Sequence, residues 1–494
     1  MPGSPWLDDI ARDGRVLIDQ WSVRSQIAAL APGETRERDL SWLDGSVLSD
    51  LSPDGKLILF SETGQGGGEN SGVYVRGTDG SPAVRLGEGT ALGFSHDMVG
   101  LFLGAAWPLS TPPDEGRDPD VLESFDDELA SGKHGYVDSM LVIRHGKIVW
   151  EKSYDHSRDY ARLFAGKGAP GIYNYYDPSW HPYYRGSALH TMQSVSKSVT
   201  SALIGIAIRQ GQIPGVAAKV MPYFSGFRVD PDPRRDRMTL RDLLTMRAGI
   251  RWDEESVDYT NPANNCAAME GREDWIQYVL DQPMAADPGT TFVYNSGATQ
   301  LLSYLIQKTT GHAVDDYARQ QLFGPLGIED FSWKRTPLGL SDTEGGLYLK
   351  PRDLAKIGLL YLQDGIWNGK RILPEGWVKS STTSLTATNE KGFGYGYQWW
   401  VGPEPGVFAA WGYGGQFLFV VPRLDLIAVF TGWNIYDDAS HPGSAPPELD
   451  PRFAIGRLLA AVKAKPCEHL LEDPYLIPYR PETTGLPGLC VLTY

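Results

Sequence analysis

The segment SVSKSVTSALIGIAI, Ser194 to Ile208, constrains the chain most. In a helix, Val195, Val199, Ala202, Leu203 and Ile206 form one apolar stripe, while Ile204 and Ile208 continue the face that carries Ser194 and Lys197. A helix apolar on both sides has to be surrounded by protein, so the chain must build layers around it. Two readings of the serine and lysine follow. In one, Ser194 caps the helix and Lys197 reaches water. In the other, the two are a nucleophile and its base, since residues i and i+3 are neighbours on a helix face. An exposed lysine is an ammonium at neutral pH; burial penalises that form and frees the amine. The helix start would also aim backbone N–H groups at negative charge developing beside Ser194.

By itself Ser-x-x-Lys is expected about once by chance in a chain this long, so partners decide its meaning. FVYNSGATQLLSYLIQ places Tyr294 ahead of an amphipathic helix, and AAWGYGGQFLFVVP runs a glycine-rich segment into a strong strand. In order and in surrounding text these stretches resemble the penicillin-recognising serine hydrolases, which include class C β-lactamases, D,D-peptidases, family VIII carboxylesterases and 6-aminohexanoate-dimer hydrolases. The similarity runs from about Val121 to Ala464 and takes in LRDLLTMRAGIRWDE, TEGGLYLKPRDLAKIGLLYLQDG and GYGYQWW.

The resemblance implies an acyl-enzyme mechanism without metal or organic cofactor. Ser194 matches the acylated serine, Lys197 its activating base and Tyr294 the tyrosine that relays protons to the leaving group. Ser296 stands where the family's Tyr-x-Asn motif has asparagine, at a substrate-contacting position. Tyr413, Gly414 and Gly415 match the third motif, and the N–H groups of Ser194 and Gln416 would form the oxyanion hole. The family most often has lysine or histidine where this chain has Tyr413. A neutral hydroxyl there favours esters or uncharged amides over carboxylate-bearing β-lactams. β-Lactamase and D,D-peptidase activities are the rivals within this class, and an inactive scaffold that binds through its N-terminal part is the rival outside it.

The remaining sequence sets the frame. At 494 residues the chain exceeds one ordinary core. Within residues 1–107, Asp13, Asp54 and Asp97 recur 41 and 43 residues apart, each at a turn before an apolar strand. That period fits one propeller blade per repeat, and LSPDGKLILFS with VYVRGTDGSPAVRL resembles TolB or WD40-like repeats. Two or three blades cannot close a ring, so a partial propeller is expected, with a homodimer through this segment as one use of its edges. Residues 108–120 read as a linker and 465–494 as a tail. Between them, 121–464, strands at both ends with helices between predict an α/β (α+β) fold, an antiparallel sheet flanked by helices, and the resemblance implies that it is of the β-lactamase/transpeptidase type.

A net charge of −16 argues against nucleic acid and anionic membranes as partners; a small-molecule ester or amide is the partner that the resemblance implies. Cys266, Cys467 and Cys490 lie too far apart for a zinc or disulfide framework. With neither an apolar leader nor a membrane span, the expectation is a cytoplasmic protein, or a periplasmic one if the start is truncated. The loop YNYYDPSWHPYY, Tyr173 to Tyr184, offers an aromatic wall or simple packing, and His181 and His190 are expected to be structural.

Overall fold

The computed structural model describes residues 107–154, 188–432 except 258, 260 and 403–405, and 449–462, with shorter stretches at 6–10, 16–19, 27–29, 38–43, 45–51, 56–63, 71–88, 90–94 and 101–104. The aromatic loop at 173–184, His181, Cys467, Cys490, the tail at 465–494 and the turn residues Asp13, Asp54 and Asp97 lie outside them.

Near the N-terminus β1 (Ser46–Leu51), β2 (Leu57–Glu62), β3 (Gly72–Gly77) and β4 (Val84–Glu88) pair antiparallel in chain order. The Thr78–Ser81 turn joins β3 to β4 as its composition requires, with Gly80 at φ 86°. Ile58, Phe60 and Tyr74 make a small core with Ile27 and Leu40. Among the described residues this is the one four-stranded unit; the other N-terminal strands pair two by two.

Residues 108–120, read as a linker, are built into the body that follows. Leu109 bridges Ile148, the Ser110 N–H donates to the Ile148 carbonyl at 2.9 Å, and the buried Arg117 donates to the Leu458 carbonyl. The acidic composition misleads here because Glu115 is spent internally: its carboxylate accepts from Ser110, His145 and Lys147 at 2.8, 2.6 and 2.9 Å. Helix α1 (Pro119–Ala130) follows, capped by Asp118.

The main sheet has eight antiparallel strands from both ends of the chain. β5 (Val137–Arg144) and β6 (Lys147–Ser153) meet at His145 and Gly146, both with positive φ, as a tight hairpin needs. They join β7 (Thr386–Ala387), β8 (Gly394–Tyr395), β9 (Trp400–Val401), β10 (Phe408–Gly412), β11 (Gln416–Val421) and β12 (Leu426–Gly432) in the order β6-β5-β12-β11-β10-β9-β8-β7. Alternate residues serve two cores. Leu141, Leu418, Val420, Ile427 and Val429 face α2 (Val195–Arg209), α3 (Ser296–Thr310) and α4 (Pro351–Leu362). Met140, Phe417, Phe419, Ala428 and Phe430 face α1 and α5 (Pro451–Ala460). Cover on both faces explains why QFLFVV and LIAVFTG are continuous apolar runs without polar alternation. Helix α2 is buried from Val195 to Ala207, as its two apolar faces require.

Candidate active site

Ser194 sits at the N-terminus of α2, where it makes no side-chain capping hydrogen bond. The preceding Gln193 adopts φ 46°, a left-handed conformation uncommon for a residue with a side chain, and so turns the short strand at His190–Thr191 abruptly into the helix. Strand β10 ends against this turn. A Cβ at Gly412 would stand 2.4 Å from the Met192 carbonyl, so only glycine lets the two pieces of backbone approach.

Lys197 is 1% exposed, which rules out a solvated ammonium. Its Nζ donates to Ser194 Oγ at 2.8 Å and to the Glu344 main-chain carbonyl at 2.8 Å, and it lies 3.6 Å from a Glu344 carboxylate oxygen. The Tyr294 phenol is within hydrogen-bonding reach of Ser194. Its ring lies 5.2 Å from Lys197 Nζ, stacks on Trp400 at 5.8 Å and meets Tyr395 edge-on at 6.4 Å. Burial, then the negative charge of Glu254, pushes this phenol well above its ordinary value. Tyr294 therefore carries its proton at neutral pH, and Lys197 Nζ is the nitrogen in contact with Ser194 Oγ.

Ser296 does not face the cleft. Its hydroxyl and its N–H both donate to Glu254, at 2.7 and 2.9 Å, and Asn295 caps α3 through the Ala298 N–H. Glu254 also accepts from the Trp252 indole, and burial raises its carboxyl. The departure from asparagine thus turns this position inward to a buried carboxyl.

Tyr413, Gly414 and Gly415 form the turn between β10 and β11, with Gly414 at φ 85° and Gly415 at φ 92°. Their glycines serve that left-handed turn. The Gln416 side chain is locked to Gly432, donating to its carbonyl at 2.5 Å and accepting from its N–H at 3.2 Å. Tyr413 is 37% exposed and its ring rests on Tyr259 at 5.3 Å.

A cleft of about 380 Å³ opens over Ser194, walled by Tyr259, Tyr294, Trp400, Trp411 and Tyr413. Trp400 and Trp411 stack at 4.5 Å. At the rim Arg452 pairs with Asp450 at 2.8 Å and lies 3.7 Å from Glu390. A larger hollow of about 670 Å³ beside Phe224 and Arg235 contains none of the predicted site residues. His190 is structural: its Nε2 is 2.6 Å from the Asp138 carboxylate, tying the turn before Ser194 to β5.

Sequence reasoning missed Glu254, Tyr259, Glu344, Trp400 and Trp411. Four of the five stood in or beside stretches singled out for their wording, WDE, TEGG, QWW and AAWG, but nothing in a sequence distinguishes a buried acid from a surface one. Among the described residues, Glu270, Asp342 and Glu344 bring carboxylate oxygens within 4.8 Å of one another, and Lys334 Nζ supplies a cation 3.4 Å from Asp342. No described helix is long and apolar enough to cross a membrane.

Comparison with known proteins agrees with this architecture. A 6-aminohexanoate-dimer hydrolase of Paenarthrobacter ureafaciens is 27% identical over 286 residues, spanning 53% of this chain and 70% of that protein. A Bacillus anthracis chain provisionally assigned as a 6-aminohexanoate-dimer hydrolase superposes with a TM-score of 0.53 at 19% identity, over 78% of this chain and 92% of its own. EstCE1, a hydrolase with promiscuous acyltransferase activity, superposes with a TM-score of 0.50 at 13% identity, over 70% and 98% of the two chains. The Beta-lactamase family model matches residues 129–432, more than half of the sequence. With its central helix, its flanked antiparallel sheet and that match, the chain belongs to the beta-lactamase family of serine hydrolases.

Proposed function

We propose that this protein hydrolyses esters or uncharged amides through an acyl-enzyme on Ser194. The observation that carries the reading is the 2.8 Å hydrogen bond between the buried Lys197 Nζ and Ser194 Oγ at the floor of an open cleft. Lys197 takes the Ser194 proton as Oγ bonds to the substrate carbonyl carbon. Negative charge moves to the carbonyl oxygen, which the N–H groups of Ser194 and Gln416 receive. As the tetrahedral adduct collapses, the leaving oxygen or nitrogen takes a proton through Tyr294. Water then adds to the acyl carbon, the acid departs and Ser194 regains its proton.

The cleft wall supports the substrate class. Tyr259, Tyr413, Trp400 and Trp411 offer flat apolar surface, and the cation at the rim, Arg452, is already paired with Asp450. A substrate carboxylate finds no unpaired cation on the described walls. The P. ureafaciens relative is named for a dimer of 6-aminohexanoate, an amide whose two ends carry an ammonium and a carboxylate; an uncharged amide is the alternative here to an ester.

A panel of p-nitrophenyl acyl esters beside a chromogenic cephalosporin tests this. Ester cleavage that disappears in Ser194→Ala, with slow or absent cephalosporin turnover, is expected. Fast cephalosporin turnover without ester cleavage would overturn the substrate class.

A further inference from the structure

We propose that Glu344 is the positioning residue of the base: its main-chain carbonyl and its carboxylate together hold Lys197 Nζ on Ser194, and its charge sets the pH at which Ser194 becomes reactive. The proposal rests on the reading of Lys197 as base.

The geometry has two parts. The carbonyl of Glu344 accepts from Nζ at 2.8 Å, and Ser194 Oγ also accepts at 2.8 Å, so the amine is held by two oxygens. The carboxylate lies 3.6 Å from the same nitrogen. The turn that carries Glu344 is itself pinned. Asp342 accepts from the N–H groups of Glu344 and Gly345 at 3.2 and 3.0 Å, and Ser196 of α2 accepts from the Leu347 N–H at 3.1 Å.

Charge distinguishes Glu344 from its neighbours. Glu270, Asp342 and Glu344 are too close for all three to ionise without compensation. Burial, and then the charge of Glu344, raises the Glu270 carboxyl well above the usual range, and that carboxyl hydrogen-bonds Glu344. Glu270 is accordingly the neutral member, donating its proton toward Glu344. Burial raises Asp342 to about 6, with Lys334 opposing the shift, so above that pH Asp342 is ionised opposite Lys334. The carboxylate that faces Lys197 Nζ, at 3.6 Å, is that of Glu344. The other groups around Lys197 are the carboxyl of Glu254, the phenols of Tyr294 and Tyr395 and the thiol of Cys266, each raised by burial. An ionised carboxylate this close to a nitrogen base favours its protonated form, and the Glu344 charge is the part of these surroundings that a glutamine removes.

The test follows the rate of Ser194 labelling by a fluorophosphonate across pH in the full chain. Glu344→Gln keeps the main-chain carbonyl and the side-chain shape but removes the charge. Its acidic limb is expected to move to lower pH by about 1 unit or more, the effect of an opposite charge at this range. Glu344→Asp keeps the charge, so its limb is expected to lie closer to the parent's than that of Glu344→Gln. A limb that stays in place in a folded Glu344→Gln, or moves up, overturns the proposal. If Glu344→Gln does not fold, a limb that stays in place or moves up in Glu344→Ala does the same. Ser194→Ala that still labels would instead remove the nucleophile assignment beneath it.

Discussion

The main sheet and the N-terminal meander are both antiparallel, yet they differ in what covers them. Every residue of β11 and β12 is buried, because helices lie on both faces. In the meander β2 is largely buried, but Val47, Leu48, Leu51, Val84 and Leu86 on the outer strands are 40–58% exposed. Complete cover makes chemistry possible. A lysine 1% exposed beside a serine is a different reagent from the same pair on an open sheet, and the polar groups that hold it can be strong because water is excluded. The proposed chemistry sits wholly in the covered region, so perturbations of the two regions should separate.

The largest expected effect is in the covered region. Tyr294→Phe keeps the stacking on Trp400 but removes the relayed proton, and kcat for ester hydrolysis should fall by roughly 10²–10⁴-fold with little change in Tm. Gly412→Ala comes next: the added methyl meets the Met192 carbonyl at 2.4 Å, so both the Ser194 labelling rate and Tm should drop, with a cost of about 2 kcal/mol or more. Phe60→Ala acts in the other region. It removes a buried ring stacked on Tyr74 at 5.7 Å and should destabilise the meander by about 3 kcal/mol, seen as faster proteolysis there, while kcat/KM holds. A fall in kcat/KM in parallel with that destabilisation would break the separation.

The smallest effect concerns the segment at 108–120 that is built into the covered region. Burial pushes the Glu115 carboxyl up, but hydrogen bonds from His145, Lys147 and Ser110 outweigh it and hold the group at about 2, below its ordinary 4.5. A depressed carboxyl stabilises the fold above the unfolded value and loses that contribution as pH falls from 4.5 toward 2. Glu115→Gln should therefore lower Tm at pH 7, with the difference from the parent shrinking across that acid window.

The legible part of the site was the part written locally. Ser194 and Lys197 share one helix three residues apart, and the two apolar faces of that helix announced a buried lysine. Tyr294, distant in sequence, was reached through wording shared with a family. The acids Glu254 and Glu344 were not legible, since a carboxyl that accepts from buried N–H groups or lies beside a buried lysine looks in sequence like any loop acid. The same ambiguity made 108–120 read as a linker, although Glu115 and Arg117 are both bound inside the fold. Ser296 was assigned to the substrate because its position in a motif does not reveal which way a hydroxyl turns. For the meander, strands were predicted and β1–β4 are strands, while the turn residues of the period lie outside the described residues; how many such units pair is a long-range property that no local period specifies.

The central claim is that Ser194 becomes acylated. Quenching the protein during turnover of a p-nitrophenyl ester and mapping the adduct by peptide mass spectrometry tests it directly. One acyl group on the peptide containing Ser194, lost in Ser194→Ala and accumulating when deacylation is slowed, is the predicted result. Turnover at the parental rate in Ser194→Ala, or an acyl group carried on a different residue, would contradict it.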